Sequence, residues 1–133
     1  ALADIPWSHQ TALTVSEGRA EDGDEVSVTG AFAGIAETGT LMLESGPHSP
    51  TTLNFLPDTH VVVIEASAID GTYEEAWSRL RASAGEGAGA AFMPRAINLI
   101  TGPSRTADIE QTLLLGAHGP RRQLIVIIDG EGP

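Results

Sequence analysis

Three short apolar runs, at residues 60–65, 96–101 and 123–129, are each separated by a stretch carrying helix signals. Runs this short and this rich in Val and Ile read as strands buried on both faces. Between the first two lies the clearest amphipathic segment, Asp70 to Ala84. Tyr73, Trp77, Leu80 and Ala84 share one face at helical spacing, and Thr72 followed by Glu75 matches a capping box. Between the second and third, Gly102-Pro103 breaks the chain, Ile109 and Leu113 repeat at helical spacing, and Gly116 supplies a stop. The predicted order is strand 60–65, helix 72–84, strand 96–101, helix 106–115, strand 123–129. Such alternation implies right-handed crossovers and a parallel sheet covered by helices, an α/β fold.

The first half is less regular. Val26 to Thr29 reads as a short strand, Ala31 to Ala36 as a turn or single helical turn, and Leu41 to Leu43 as a strand. Their close spacing implies local antiparallel pairing. Thr11 to Ser16 alternates apolar residues and reads as a strand, while Glu17 to Glu25 reads as a solvated acidic loop. Its spacing misses the alternating ligands and trailing Glu of a calcium loop. The string GEGAG, starting at Gly85, follows a helix instead of a strand, so it is no dinucleotide fingerprint.

Composition removes whole classes of function. At 133 residues the chain is expected to be one domain. It contains no cysteine, which excludes disulfides, thiol catalysis and cysteine-ligated clusters and is compatible with the cytoplasm. The net charge is −11 and all seven basic residues are Arg. Nucleic acid and anionic membrane surfaces are therefore not expected partners. With no Lys, a P-loop and a Schiff base are both excluded. The four His are widely separated, so no metal site is expected.

What remains is a small-anion site. Ser104, Arg105 and Thr106 cluster where a strand hands over to a helix, and free N–H groups there favour an anion. Arg adds a planar fork suited to carboxylate or phosphate. Ordinary capping by Ser104 or Thr106 accounts for much of the same pattern. Gly102 shapes the approach, and the amide of Asn98 on the buried strand needs a partner, in a turn or in a ligand. Glu37 sits in a Thr/Gly-rich turn with Thr38, Gly39 and Thr40, all taken as candidate ligand contacts. Its carboxylate suits a base, a nucleophile or a ligand orienter, or else a cap on backbone N–H groups. His118, just after the second helix, is a candidate proton exchanger, or a partner for the last helix carbonyls.

The segments IAETGTLML, SGPHSPTTLNFLPDTHVVVI and INLITGPSRTADIEQTLLLGAHGP resemble the LUD domain, the domain of the bacterial lactate-utilisation C (LutC/YkgG) proteins. The similarity runs from about Val26 to Ile128. The resemblance implies a three-layer α/β/α domain with a mostly parallel sheet, of the NagB/RpiA/CoA transferase-like type. It implies an accessory, small-anion-binding subunit in L-lactate oxidation to pyruvate, with iron–sulfur clusters carried only by partner proteins. The alternatives are an independent CoA- or acyl-transferase using Glu37 and an inactive structural fragment. Residues 1–133 are read as a single LUD domain lacking the usual N-terminal part. A missing element exposes a sheet edge or an apolar face, so self-association is expected.

Overall fold

The Val-rich run forms β4 (Thr59–Glu65), the central strand of a parallel sheet in a computed structural model of the chain. The structure describes residues 2–45, 50, 52–85, 97–103 and 119–129. β1 (Val26–Gly30) pairs with one edge of β4 and β7 (Arg122–Ile128) with the other, both parallel. Strand side chains alternate between faces. The register therefore sets Ser27, His60 and Gln123 side by side on one face, with Val62 two residues on from His60.

A second sheet holds the hairpin of β2 (Ala33–Ile35) and β3 (Thr40–Glu44), flanked by β5 (Ile69–Asp70) and β6 (Ile97–Ile100). β2 and β5 are parallel; β2–β3 and β3–β6 are antiparallel. Three of the five described pairings are thus parallel. The run at 96–101 is a strand, as expected, but it does not join the parallel sheet. It lies antiparallel on β3, with Leu43 opposite Asn98 and Leu41 opposite Ile100. Apolar periodicity finds a strand but is blind to the edge it joins and to what covers it: the runs expected to be buried on both faces leave Leu99 of β6 45% and Leu124 of β7 57% exposed. Residues 33–35 likewise form a strand where a turn was expected, because the Met42 carbonyl accepts the Phe32 N–H at 2.9 Å and zips the hairpin. Thr11 to Ser16 forms no strand. Alternation makes a strand only where a neighbour supplies backbone bonds, and Leu13 and Val15 are 58% and 48% exposed.

The capping signal and apolar stripe at 72–84 produce α2 (Tyr73–Gly85). Ala76 and Leu80 bury against Ala33, Ile35 and Met42, with Tyr73 and Trp77 at the margin. On the opposite side of β3, Leu41 and Leu43 pack on Val62 and Ile64 of the parallel sheet. β3 is thus shared by two cores, one against the helix and one between the sheets.

Arg79 staples α2 in place. Its guanidinium meets the Asp70 carboxylate at 2.8 Å, donates to the carbonyls of Phe32 and Ala68, and lies 4.5 Å from the centre of the Phe32 ring. The side chain is 39% exposed, so solvent screens part of the attraction. Arg79→Met is expected to destabilise the chain by about 1–2 kcal/mol in urea denaturation. A midpoint unchanged from the wild type would mean that the staple contributes nothing.

The short helix α1 (Thr52–Phe55) seats on the parallel sheet, where the Ser27 hydroxyl donates to the Leu53 carbonyl. Beside it the interior is polar. Asn54 and His60 are fully buried, and His60 Nε2 shares a hydrogen bond of 2.8 Å with the Thr29 hydroxyl. His60 Nδ1 and both amide atoms of Asn54 have no protein partner. Burial holds the His60 pKa down at about 4.

Candidate functional site

Residues 36–39 turn β2 into β3, and glycine is required at the tip because Gly39 has φ +68°. The turn is bolted to the start of α2: the carbonyls of Asp70 and Gly71 accept the N–H groups of Ala36 and Glu37 at 2.8 and 3.1 Å. Thr72 caps α2 by accepting the Glu75 N–H at 3.3 Å. The Glu75 carboxylate reaches back to the Gly71 N–H at 3.2 Å, one residue beyond the usual capping-box target, the N–H of the capping threonine. Glu37 Oε1 accepts the Tyr73 N–H at 3.3 Å. Two carboxylates and one hydroxyl of the protein therefore already serve amides at this helix start.

Beside them is a cluster of hydroxyls. Thr40 Oγ1, on a residue 1% exposed, lies 2.7 Å from Thr38 Oγ1, 2.7 Å from Thr101 Oγ1 and 3.0 Å from the Tyr73 phenol. Thr38 also donates to the Tyr73 oxygen at 3.3 Å. A hydroxyl gives one hydrogen and takes two, so three partners saturate Thr40. Hydrogen bonding by Thr38, then by Thr40, pulls the Tyr73 pKa below its usual 10; desolvation and the Glu37 carboxylate act in the opposite direction.

Among the described residues, the site expected from the sequence is thus partly assembled. The Glu37 turn and the end of β6 converge, through Thr40 and Thr101. Gly102 follows directly in a left-handed turn, φ +75°. Convergence occurs at an end of the mixed second sheet, where β3 starts and β6 ends, not at the carboxyl ends of β1, β4 and β7. Those ends border two cavities of about 210 and 460 Å³ that share Leu2, Gly30 and Ala31; Glu44 lines one and Glu65 the other. Asn98 belongs to β6 but makes no bond to the hydroxyl cluster, and its buried Nδ2 has no protein partner. Ser104, Arg105, Thr106 and His118 lie outside the described residues.

Residues 23–128 match the family model of the LUD domain. The chain belongs to the LUD-domain family. Curated relatives include an uncharacterized protein of Neisseria meningitidis serogroup B, 41% identical over 78% of this chain and 42% of that protein. Lactate utilization protein C of Geobacillus thermodenitrificans is 34% identical over 96% of this chain and 55% of its own length. The crystal structure of a DUF162 family protein from Deinococcus radiodurans superposes with a TM-score of 0.55 at 26% identity, over 80% of this chain and 54% of the other. The chain spans about half the length of these relatives.

Tyr73 escaped the sequence reading as a candidate ligand contact, while Thr101, with Gly102, is expected from the sequence at the ligand end of its strand. Tyr73 reads as a core residue on the apolar stripe of its helix, and it does pack there. Its polar tip, one residue after the capping threonine, is the available signal, since a Tyr whose ring packs on a core tends to find a partner for its hydroxyl. The partner of Thr101 has no local signal; only the β3–β6 register brings Thr101 to Thr40. Among the described residues no group of three or more His, Asp or Glu could hold a metal ion. None of the described helices is long and apolar enough to cross a membrane.

Proposed function

We propose that this LUD domain serves bacterial lactate utilization in the cytoplasm as a subunit that binds a small carboxylate, with iron–sulfur clusters and electron transfer supplied by partner proteins. The convergence of Thr38, Thr40, Tyr73 and Thr101 from three separate elements, beside the Glu37 carboxylate, carries this reading. The names of the curated relatives support its lactate side. A 2-hydroxy acid presents a carboxylate that accepts and a hydroxyl that donates, and the cluster can both give and take hydrogen bonds. The Tyr73 phenol, which can both give and take a hydrogen bond, is placed beside the threonines to contact either group of such a ligand. Glu37, held on the Tyr73 amide, orients the turn and repels a carboxylate that approaches from its own side.

Calorimetry with L-lactate and pyruvate tests the reading. Millimolar or tighter binding is expected, and Thr40→Val, which removes the saturated hydroxyl that holds Thr38, Tyr73 and Thr101 in place, is expected to weaken it roughly tenfold. Binding unchanged in Thr40→Val would move the site elsewhere. No heat with either acid would end the carboxylate assignment. Glu37→Gln is expected to retain binding and, by removing a negative charge, to tighten it.

A further inference from the structure

Ser27, His60 and Gln123 are each the second residue of their strands, and they stand in one row across β1, β4 and β7. α1 seats on the face that carries this row. It is tied down twice: the Ala20 N–H donates to the Thr52 hydroxyl at 3.0 Å, and the Ser27 hydroxyl donates to the Leu53 carbonyl. The next residue of α1, Asn54, is completely buried, as is His60. Ser27 is satisfied by α1, but its neighbours are not. Asn54 Nδ2 and Oδ1, His60 Nδ1 and Gln123 Nε2 are all buried and have no protein partner. Protein interiors leave few polar atoms in that condition, because each has given up its bonds to solvent.

We propose that a water molecule is bound between α1 and the parallel sheet, bridging His60 Nδ1 to the Asn54 amide, with Gln123 Nε2 as its third partner. The donors and acceptors select this guest. A neutral imidazole has one N–H and one acceptor nitrogen, and Nε2 is occupied by the Thr29 hydroxyl. Nδ1 is therefore a donor if Thr29 gives its proton, and an acceptor if Thr29 takes one. Asn54 offers one atom of each kind, and Gln123 Nε2 donates. A partner for this set must both give and take hydrogen bonds. It must also be small, because the layer is closed around Asn54 and His60, both 0% exposed. Water meets both demands, and a buried water makes about three such bonds. Its bonds repay the entropy of holding it. It fastens α1 to the central strand through side chains that make no direct bond to each other. Neither cavity at the carboxyl ends is lined by Asn54, His60 or Gln123, and the hydroxyl cluster belongs to the other sheet. The inference is therefore independent of the carboxylate reading.

A high-resolution crystal structure of the 133-residue chain is expected to show a water within hydrogen-bond distance of His60 Nδ1 and of an Asn54 amide atom. A direct Asn54–His60 hydrogen bond, or apolar atoms packed against Nδ1, overturns the proposal. Oxygen-17 relaxation dispersion tests it in solution. That measurement counts waters held far longer than those on the surface, and hydroxyl hydrogens that exchange with solvent do not enter it. Wild-type protein with no long-lived water overturns the proposal without any variant. Asn54→Leu removes both amide atoms at similar side-chain size. In a variant that is folded by circular dichroism, the dispersion amplitude is expected to fall by the equivalent of about one long-lived water. An amplitude equal to that of the wild type places the held water elsewhere and overturns the assignment.

Discussion

Lowering the pH from 6.5 to 4 is expected to cost the folded chain up to about 3 kcal/mol through His60 alone. Burial lowers the folded-state pKa to about 4, while the unfolded chain titrates near 6.5. Between those values the unfolded state binds the proton and the folded state does not. Stability from this group is therefore complete above about 6.5, falls as the pH drops, and levels off below about 4. The cost is steep because protonation places an imidazolium in a fully buried site where Nδ1 has no protein acceptor. Urea midpoints measured across this range should fall faster for the wild type than for His60→Gln, which retains a polar side chain and cannot titrate. Equal pH slopes in the two proteins would show that His60 is not the sensor.

Leu80→Ala is expected to destabilise the chain by about 3 kcal/mol. Leu80 is 1% exposed and fills the space between α2 and the β2–β3 hairpin. Two of its core neighbours, Ala33 and Ala76, have no side chain long enough to swing into the gap. The substitution therefore loses both the transfer free energy of the removed methyl groups and the contacts around the cavity they leave. Urea denaturation reads the loss directly, with Leu13→Ala, at a position 58% exposed, expected to stay within about 0.5 kcal/mol. A Leu80→Ala loss under 1 kcal/mol would mean that α2 is not docked on the hairpin as described.

The two predictions fall on opposite kinds of sequence signal. Leu80 is legible in advance because a stripe at helical spacing identifies the face a helix buries. His60 opens the apolar run at 60–65, and the structure buries it fully. The hydrogen bond to Thr29 and the orphaned Nδ1 depend on a neighbouring strand and are not legible. The candidate site divides the same way. Glu37, Thr38, Gly39 and Thr40 stand together in the chain, and their turn chemistry is local. Thr101 is 61 residues from its partner Thr40, and Tyr73 is 33.

By itself the sequence determined the family and the element types of β1, β3, β4, α2, β6 and β7. Hydrophobic period, capping residues and turn glycines act over a few residues, and the motifs of the LUD domain are contiguous strings. Absent cysteine and lysine and an all-Arg cation set likewise needed no coordinates to exclude their chemistries. Only the tertiary structure decided which edge each strand joins. It placed β6 antiparallel on β3, brought Thr101 to Thr40, and left β7 as an edge among the described strands. The reason is that backbone hydrogen bonds carry no residue identity. An apolar strand satisfies its amides equally well on several edges, and the choice falls to side-chain packing between elements far apart in the chain.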